Sequence, residues 1–334
     1  MSDFNADQQK QKKAGVTSSG GFKIVMLVIL ILLLLIPISM IRSLISERSH
    51  RANTAEESIM EAWGSQLTLY GPVIRIPVVE REEVKTKTEK DGEKIEIIMH
   101  DYALWITPKD MEIRADFSSQ KKRRGIFSVA LFSGDVSLSG NFTFERAKGE
   151  LKQNQTMYPQ QAEIIIGLAS QKGIRRIIKA DWNGSELFFK PGNRNYSIGY
   201  VNNYSTGSHD SKISTQSIGE NNNGINASSP FDTTGINTFD IKFAVQGGKS
   251  IRALPVGETT HAYINADWPS PSYQGGFLPA SHTFSESGFN AEWEISYLSR
   301  SIPLYWLTGR DGFEYDSRMY WGSELFGVDF FKPL

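Results

Sequence analysis

Twenty consecutive residues, Phe22 to Ile41 (FKIVMLVILILLLLIPISMI), carry a single charge, Lys23 at the entrance. At about 1.5 Å of rise per residue, a helix of this length matches the ~30 Å hydrocarbon core of a bilayer. A cleaved signal peptide has a shorter apolar region, roughly 7–15 residues, that ends at small residues of A-x-A type. Here the run leaves through Ser39-Met40-Ile41-Arg42, which offers no such site. Residues 22–41 therefore read as an uncleaved anchor whose partner is the lipid bilayer. Pro37 sits in its last third, where a lost hydrogen bond is tolerable near an interface. Lys10, Lys12, Lys13 and Lys23 precede the run, and Arg42, Arg48 and Arg51 follow it. That small excess leans toward a cytoplasmic N-terminus.

Residues 1–21 are polar and read as a disordered tail. Residues 42–64 read as a juxtamembrane helical stalk, free of proline and closed by Gly64, a helix-terminating residue. Thr54 followed by Glu57 has the spacing of a capping box, which would split this stretch into two helices.

From residue 67 the apolar period changes to two. Met111, Ile113, Ala115 and Phe117 alternate with charged residues. Phe239, Ile241, Phe243 and Val245 alternate with Asp240, Lys242, Ala244 and Gln246, and Ala291, Trp293, Ile295 and Tyr297 with Glu292, Glu294 and Ser296. Val136, Leu138, Phe142 and Phe144 alternate with small polar residues. Alternation of this kind puts one face of a strand in a core and the other in water. Asp91-Gly92 and Asn183-Gly184 accept the positive φ of a type I′ hairpin turn. The expected fold is all-β: one large, antiparallel, sandwich-like β domain over residues 65–334. Residues 202–234, dominated by Asn, Ser, Thr and Gly, read as a mobile insert in it.

The chemistry-bearing residues point to no reaction. The chain of 334 residues has 36 Lys+Arg against 37 Asp+Glu, so it carries no field for a nucleic-acid backbone. It has no cysteine, which removes thiol catalysis, disulfides and cysteine metal sites. Gly247-Gly248-Lys249-Ser250 ends like a phosphate loop, but Phe243 stands where the motif needs its first glycine, and a hairpin turn accounts for it better. His50, His100, His209, His261 and His282 lack metal-ligand spacing. Lys121-Lys122-Arg123-Arg124 reads as a solvated turn between strands, with anionic headgroups as the rival contact. Six N-x-S/T sequons, at Asn141, Asn154, Asn183, Asn195, Asn203 and Asn226, matter only in a glycosylating pathway. No catalytic residue, cofactor site or metal ligand is expected.

Residues 267–306 hold nine aromatics: Trp268, Tyr273, Phe277, Phe284, Phe289, Trp293, Tyr297, Tyr305 and Trp306. Aromatic faces can stack sugars, so a cell-wall glycan site is the rival to plain core packing. Within this region DWPSPSYQGGFLP (267–279) reads as a structural connector. Its prolines interrupt strand pairing, its paired glycines allow a sharp change of direction, and Trp268, Tyr273 and Phe277 pin it down.

Seven segments resemble the CreD family of bacterial inner-membrane proteins, also called cell envelope integrity or colicin-tolerance proteins. They are IPISMIRSLISERSHRA (36–52), QLTLYGPVIRIPVV (66–79), RRGIFSVALFSGDVSLSGNF (123–142), IKADWNGSELFFKPG (178–192), DWPSPSYQGGFLP, GFNAEWEISYLSRSIP (288–303) and FGVDFFKPL (326–334). The resemblance implies an inner-membrane location, a periplasmic β domain and a part in envelope integrity, with no established catalytic residues. It also implies further transmembrane helices beyond Leu334, where this sequence stops. Two function classes follow: a non-enzymatic envelope-maintenance or interaction protein, and a glycan-binding or glycan-processing module.

Overall fold

The computed structural model describes residues 20–88, 92–125, 127–149, 151–192, 223–309 and 324–330. They fall into two units, divided after Ala55.

The first unit is built on α1 (Gly20–Trp63), a continuous helix of 44 residues that contains Pro37. At ~1.5 Å per residue it extends about 66 Å, twice a ~30 Å hydrocarbon core. Its apolar stretch buries nothing within the chain, and Leu33 and Ile36 are more than half exposed. A helix apolar all round has the surface of a lipid-facing segment. Gly20 and Gly21 are already helical, so helix replaces the predicted tail there; residues 1–19 lie outside the described residues. The capping-box break is absent. Thr54 Oγ1 instead donates to the His50 carbonyl one turn back, at 3.0 Å, inside the helix.

The second unit, Glu56–Leu334, holds the last two turns of α1 and, among the described residues, eighteen strands. In chain order these are β1 (Leu67–Thr88), β2 (Gly92–Ile106), β3 (Asp110–Arg124), β4 (Phe127–Thr143), β5 (Gln155–Met157), β6 (Glu163–Leu168), β7 (Ile174–Trp182), β8 (Ser185–Glu186) and β9 (Lys190–Pro191). There follow β10 (Gly224–Ser228), β11 (Ile236–Gly248), β12 (Ser250–Ala253), β13 (Thr259–Ala266), β14 (Pro271–Gly275), β15 (Ser281–Ser285), β16 (Gly288–Ser296), β17 (Tyr305–Gly309) and β18 (Phe326–Phe330). Sheet one runs β14-β18-β12-β1-β6-β10-β9, with β2 and β5 also on β1, and β17 on β2. Sheet two runs β15-β16-β13-β3-β4-β11-β7-β8. Among the described strands, β1 with β12 and β3 with β13 pair in parallel and the rest antiparallel.

The expected all-β, mostly antiparallel fold is what forms. Sheet two has the alternation read from the sequence: β11 and β16 bury every second residue. The exception is Tyr297, which starts a short 3₁₀ turn instead of continuing β16. Sheet one is different. All six residues of β6 are buried, so that strand is covered on both faces and shows no period. One apolar core joins the inner faces of the sheets, with ring contacts across it: Phe132 to Phe330 at 5.1 Å and Trp293 to Phe326 at 5.4 Å.

Three local expectations are corrected. Residues 223–234 of the predicted mobile insert are built into the fold, while 202–222 lie outside the described residues. Within it β10 is a buried strand between β6 and β9, because Ile225 and Ala227 supply the apolar pair that a strand needs. Gly247–Ser250 is not a hairpin turn: β11 belongs to sheet two and β12 to sheet one, and Lys249, at φ 66°, carries the chain across. Lys121–Arg124 is not a turn either. It is the paired end of β3 against β4, where Lys121, Lys122 and Arg123 are exposed.

The end of α1 is tied to the β domain. Gly64, at φ 140°, closes the helix by donating to Met60 at 2.8 Å, and the Trp63 carbonyl accepts from Gln246. Lys172 donates to the Glu61 carbonyl at 2.7 Å, and Lys249 pairs with Glu56 at 2.6 Å.

Candidate functional site

The aromatic residues are mostly core. Trp268, Phe289 and Trp293 are each 2–3% exposed. Trp268 donates its indole N–H to Ser270 and sets its ring at 6.0 Å from Phe330; Trp293 donates to the Phe277 carbonyl. The DWPSPSYQGGFLP segment leaves sheet two after β13, adds β14 to the edge of sheet one, and returns to sheet two at β15. It therefore connects the sheets, yet its pairing is less interrupted than its prolines suggest. Pro271 opens an edge strand, a position that needs no backbone donor. Asp267 accepts from the Ser119 amide and holds the segment's start against β3. Phe284 stays exposed, beside the parallel His282 ring.

One aromatic pair escaped the sequence reading. Trp105 on β2 and Trp306 on β17 sit opposite each other and stack at 5.8 Å, 4° apart. Arg75 is opposite Trp105 on β1, and Glu163 is opposite Arg75 on β6; Arg75 and Glu163 pair at 3.3 Å. Only the strand register discloses this row, because its members are scattered over more than two hundred residues.

Carboxylates of sheet two's outer face bond to neighbouring side chains. Asp116 accepts from Asn265 at 2.8 Å, Asp135 pairs with Lys242 at 3.1 Å, and Glu112 with Arg114 at 2.6 Å. His261 stands between Glu294 and Glu112 in the register, and His100 lies 2.8 Å from Glu82. His50 is on α1, and His209 lies outside the described residues. Among the described residues no three His, Asp or Glu side chains are grouped to hold a metal ion. Lys121 lies over Trp268 at 5.4 Å and Lys122 over Trp63 at 5.2 Å, which are intramolecular cation–π contacts. Asn141, Asn154 and Asn183 bond to neighbouring side chains and Asn226 is buried; Asn195 and Asn203 lie outside the described residues.

The feature that most resembles a binding surface is the ribbon made by the far ends of β1 and β2. The two strands pair without a break from Ile74–Ile106 to Thr88–Gly92. The Asp91-Gly92 turn lies partly outside the described residues, but the strands it was expected to join do pair. Glu80 is bound by Gln155 and Asn154, which hold its carboxyl below the usual carboxylate range. Past this point Ile95, Ile97 and Met99 are each more than half exposed on one face, and Ile98 is exposed on the other. Exposed apolar residues grouped along one strand are what a contact surface presents.

A 44-residue helix whose first half is apolar, followed by a two-sheet β domain, defines a membrane-anchored β-sandwich protein. The family described as inner membrane protein CreD matches residues 19–334, and the chain belongs to that family. It is 25% identical over 292 residues to the inner membrane protein CreD of Escherichia coli (strain K12), an alignment spanning 87% of this chain and 58% of that protein. It is also similar to a solved M1 zinc metallopeptidase from Deinococcus radiodurans bound to a Tyr-Ser-Ala substrate. There the TM-score is 0.25 and identity 9%, over 56% of this chain and 38% of that one. A likeness of that size carries nothing about fold or activity.

Proposed function

We propose that this membrane protein serves envelope maintenance from the periplasmic side, through contacts of its β domain and without catalysis. The observation that carries the reading is where the reactive side chains sit. The aromatics with faces suited to a sugar are largely in the core, and the carboxylates of the outer face bond to neighbours, Asp116 and Asp135 across strands and Glu112 along its own. What projects is apolar ribbon and polar sheet, which suit binding. The E. coli relative is named for the inner membrane, and the resemblance to envelope-integrity proteins supplies the physiological direction.

The test is complementation. A strain lacking this protein should gain sensitivity to detergents and β-lactams, and the full chain should restore resistance. Resistance unaffected by the deletion would overturn the reading. The glycan alternative draws on the Trp105–Trp306 stack, and Trp306→Ala separates the two. Loss of binding to purified cell-wall fragments, with folding intact, would favour the glycan reading.

A further inference from the structure

We propose that Lys249 is a strained clasp through which the end of α1 holds the β12-β18-β14 edge of sheet one, so that movement of the helix end loosens that edge. This goes beyond the envelope reading and does not depend on it. β11 ends at Gly248 in sheet two and β12 begins at Ser250 in sheet one, so the crossing between the sheets is a single residue. Among the described residues, Asn183 at φ 52° and Lys249 at φ 66° are the non-glycine residues in the left-handed region. Asn183 belongs to the turn between β7 and β8, and asparagine tolerates that conformation. A lysine has no such excuse. Its Cβ crowds the following carbonyl, and a residue of this kind persists only where its surroundings over-determine it.

Three sets of contacts fix Lys249. From sheet two, the Ala130 carbonyl accepts its amide at 3.1 Å. From sheet one, the Phe330 amide at the end of β18 donates to its carbonyl at 2.6 Å. From the helix, Glu56 pairs with its ammonium at 2.6 Å, both side chains being partly buried. The residue before it is seated on the same two turns of α1. A Cβ on Gly248 would stand 3.2 Å from the Met60 Cγ, and the Gly248 amide donates to the Ser65 carbonyl at 3.1 Å. Of the three sets, the helix contact alone acts through the side chain, against the relaxation of φ to the ordinary negative region. Loss of Glu56 therefore lets φ relax, which turns the Lys249 carbonyl away from Phe330 and shifts Ser250 against Asp329, its partner on β18. β14 pairs with β18 along its length, so the whole edge loses its fixed end. The coupling is reciprocal: whatever steadies β14 and β18 also favours the docked helix end.

Amide exchange of the full chain in detergent micelles, read by mass spectrometry, tests this. Glu56→Gln removes the ion pair and lies outside both strands. Exchange in peptides covering 250–253 and 326–330 should quicken about fivefold, as the loss of one partly buried contact implies. A peptide covering β10, separated from β12 by β1 and β6, should not change. Lys249→Ala should match Glu56→Gln, because alanine lacks the pair and keeps the strain. Lys249→Gly should stay slow, since glycine adopts a left-handed φ freely. Added to Glu56→Gln, Lys249→Gly should restore slow exchange, which a plain stabilising ion pair does not predict. The proposal is overturned if Glu56→Gln leaves both peptides unchanged, or if Lys249→Gly quickens them as Lys249→Ala does. Equal quickening of the β10 peptide overturns it too, because the effect is then general loss of stability.

Discussion

At the level of single residues, Trp268 decides whether the connector is structural. It is buried and its indole N–H is satisfied by Ser270, so truncation removes packing that nothing else supplies. Trp268→Ala should destabilise the detergent-solubilised chain by about 3–5 kcal/mol in denaturant titration. An unchanged midpoint with lost binding to cell-wall fragments would mean a ligand-stacking role instead. Gly275 and Gly184 make a second comparison, since both have positive φ. A Cβ on Gly184 meets nothing within 4 Å, so Gly184→Ala should cost about 1–2 kcal/mol of backbone strain alone. A Cβ on Gly275 would lie 1.8 Å from the Leu325 carbonyl oxygen. Gly275→Ala must displace β14 from β18, and its melting temperature should fall well below that of Gly184→Ala. Asp232 gives a pH signature. The amide and hydroxyl of Thr234, with the Gly235 amide, stabilise its carboxylate and lower its pKa. A carboxyl depressed in the fold contributes stability above its unfolded value of ~3.9, and that stability is lost as pH falls through the lower folded value. Asp232→Asn should flatten the acid limb of the stability profile below about pH 4. An unchanged limb would show that the loop is not what titrates.

Among the elements, what was legible depended on how many faces of a strand meet water. β3, β4, β11 and β16 all lie in sheet two, and Met111, Val136, Ile241 and Trp293 could be picked out because each has polar neighbours in sequence. β6 reads EIIIGL and is buried on both sides, so it carries no period and was not read. β10 was mistaken for part of a mobile insert because its two buried residues, Ile225 and Ala227, sit among Asn and Ser. The turn at Asn183-Gly184 was legible, since φ of 52° and 79° suits that residue pair. The turn chemistry of Gly247-Gly248 does not say which sheet the next strand joins, so the crossing from β11 to β12 was invisible. The apolar ribbon and the Trp105–Trp306 stack depend on register, a property of pairs of strands. β10 supplies a prediction of its own. Ile225→Ala should cost about 2–4 kcal/mol, and the amides of residues 225–227 should exchange slowly with solvent. A mobile loop would show no cost and fast exchange.

For the whole molecule, the anchor was the most legible feature, because twenty apolar residues have few other destinations. The chain spans little more than half the length of its E. coli relative. Envelope maintenance from the periplasm requires residues 65–334 to lie outside the cytoplasm. The lysines before the anchor favour that side, and a native chain without cysteine makes it directly measurable. Phe284 is exposed on β15, so a thiol there is open to reagents without disturbing the core. Phe284→Cys in otherwise unaltered protein should react with a membrane-impermeant maleimide in cells whose outer membrane alone has been opened. Reaction only after the inner membrane is lysed would place the β domain in the cytoplasm and contradict the account.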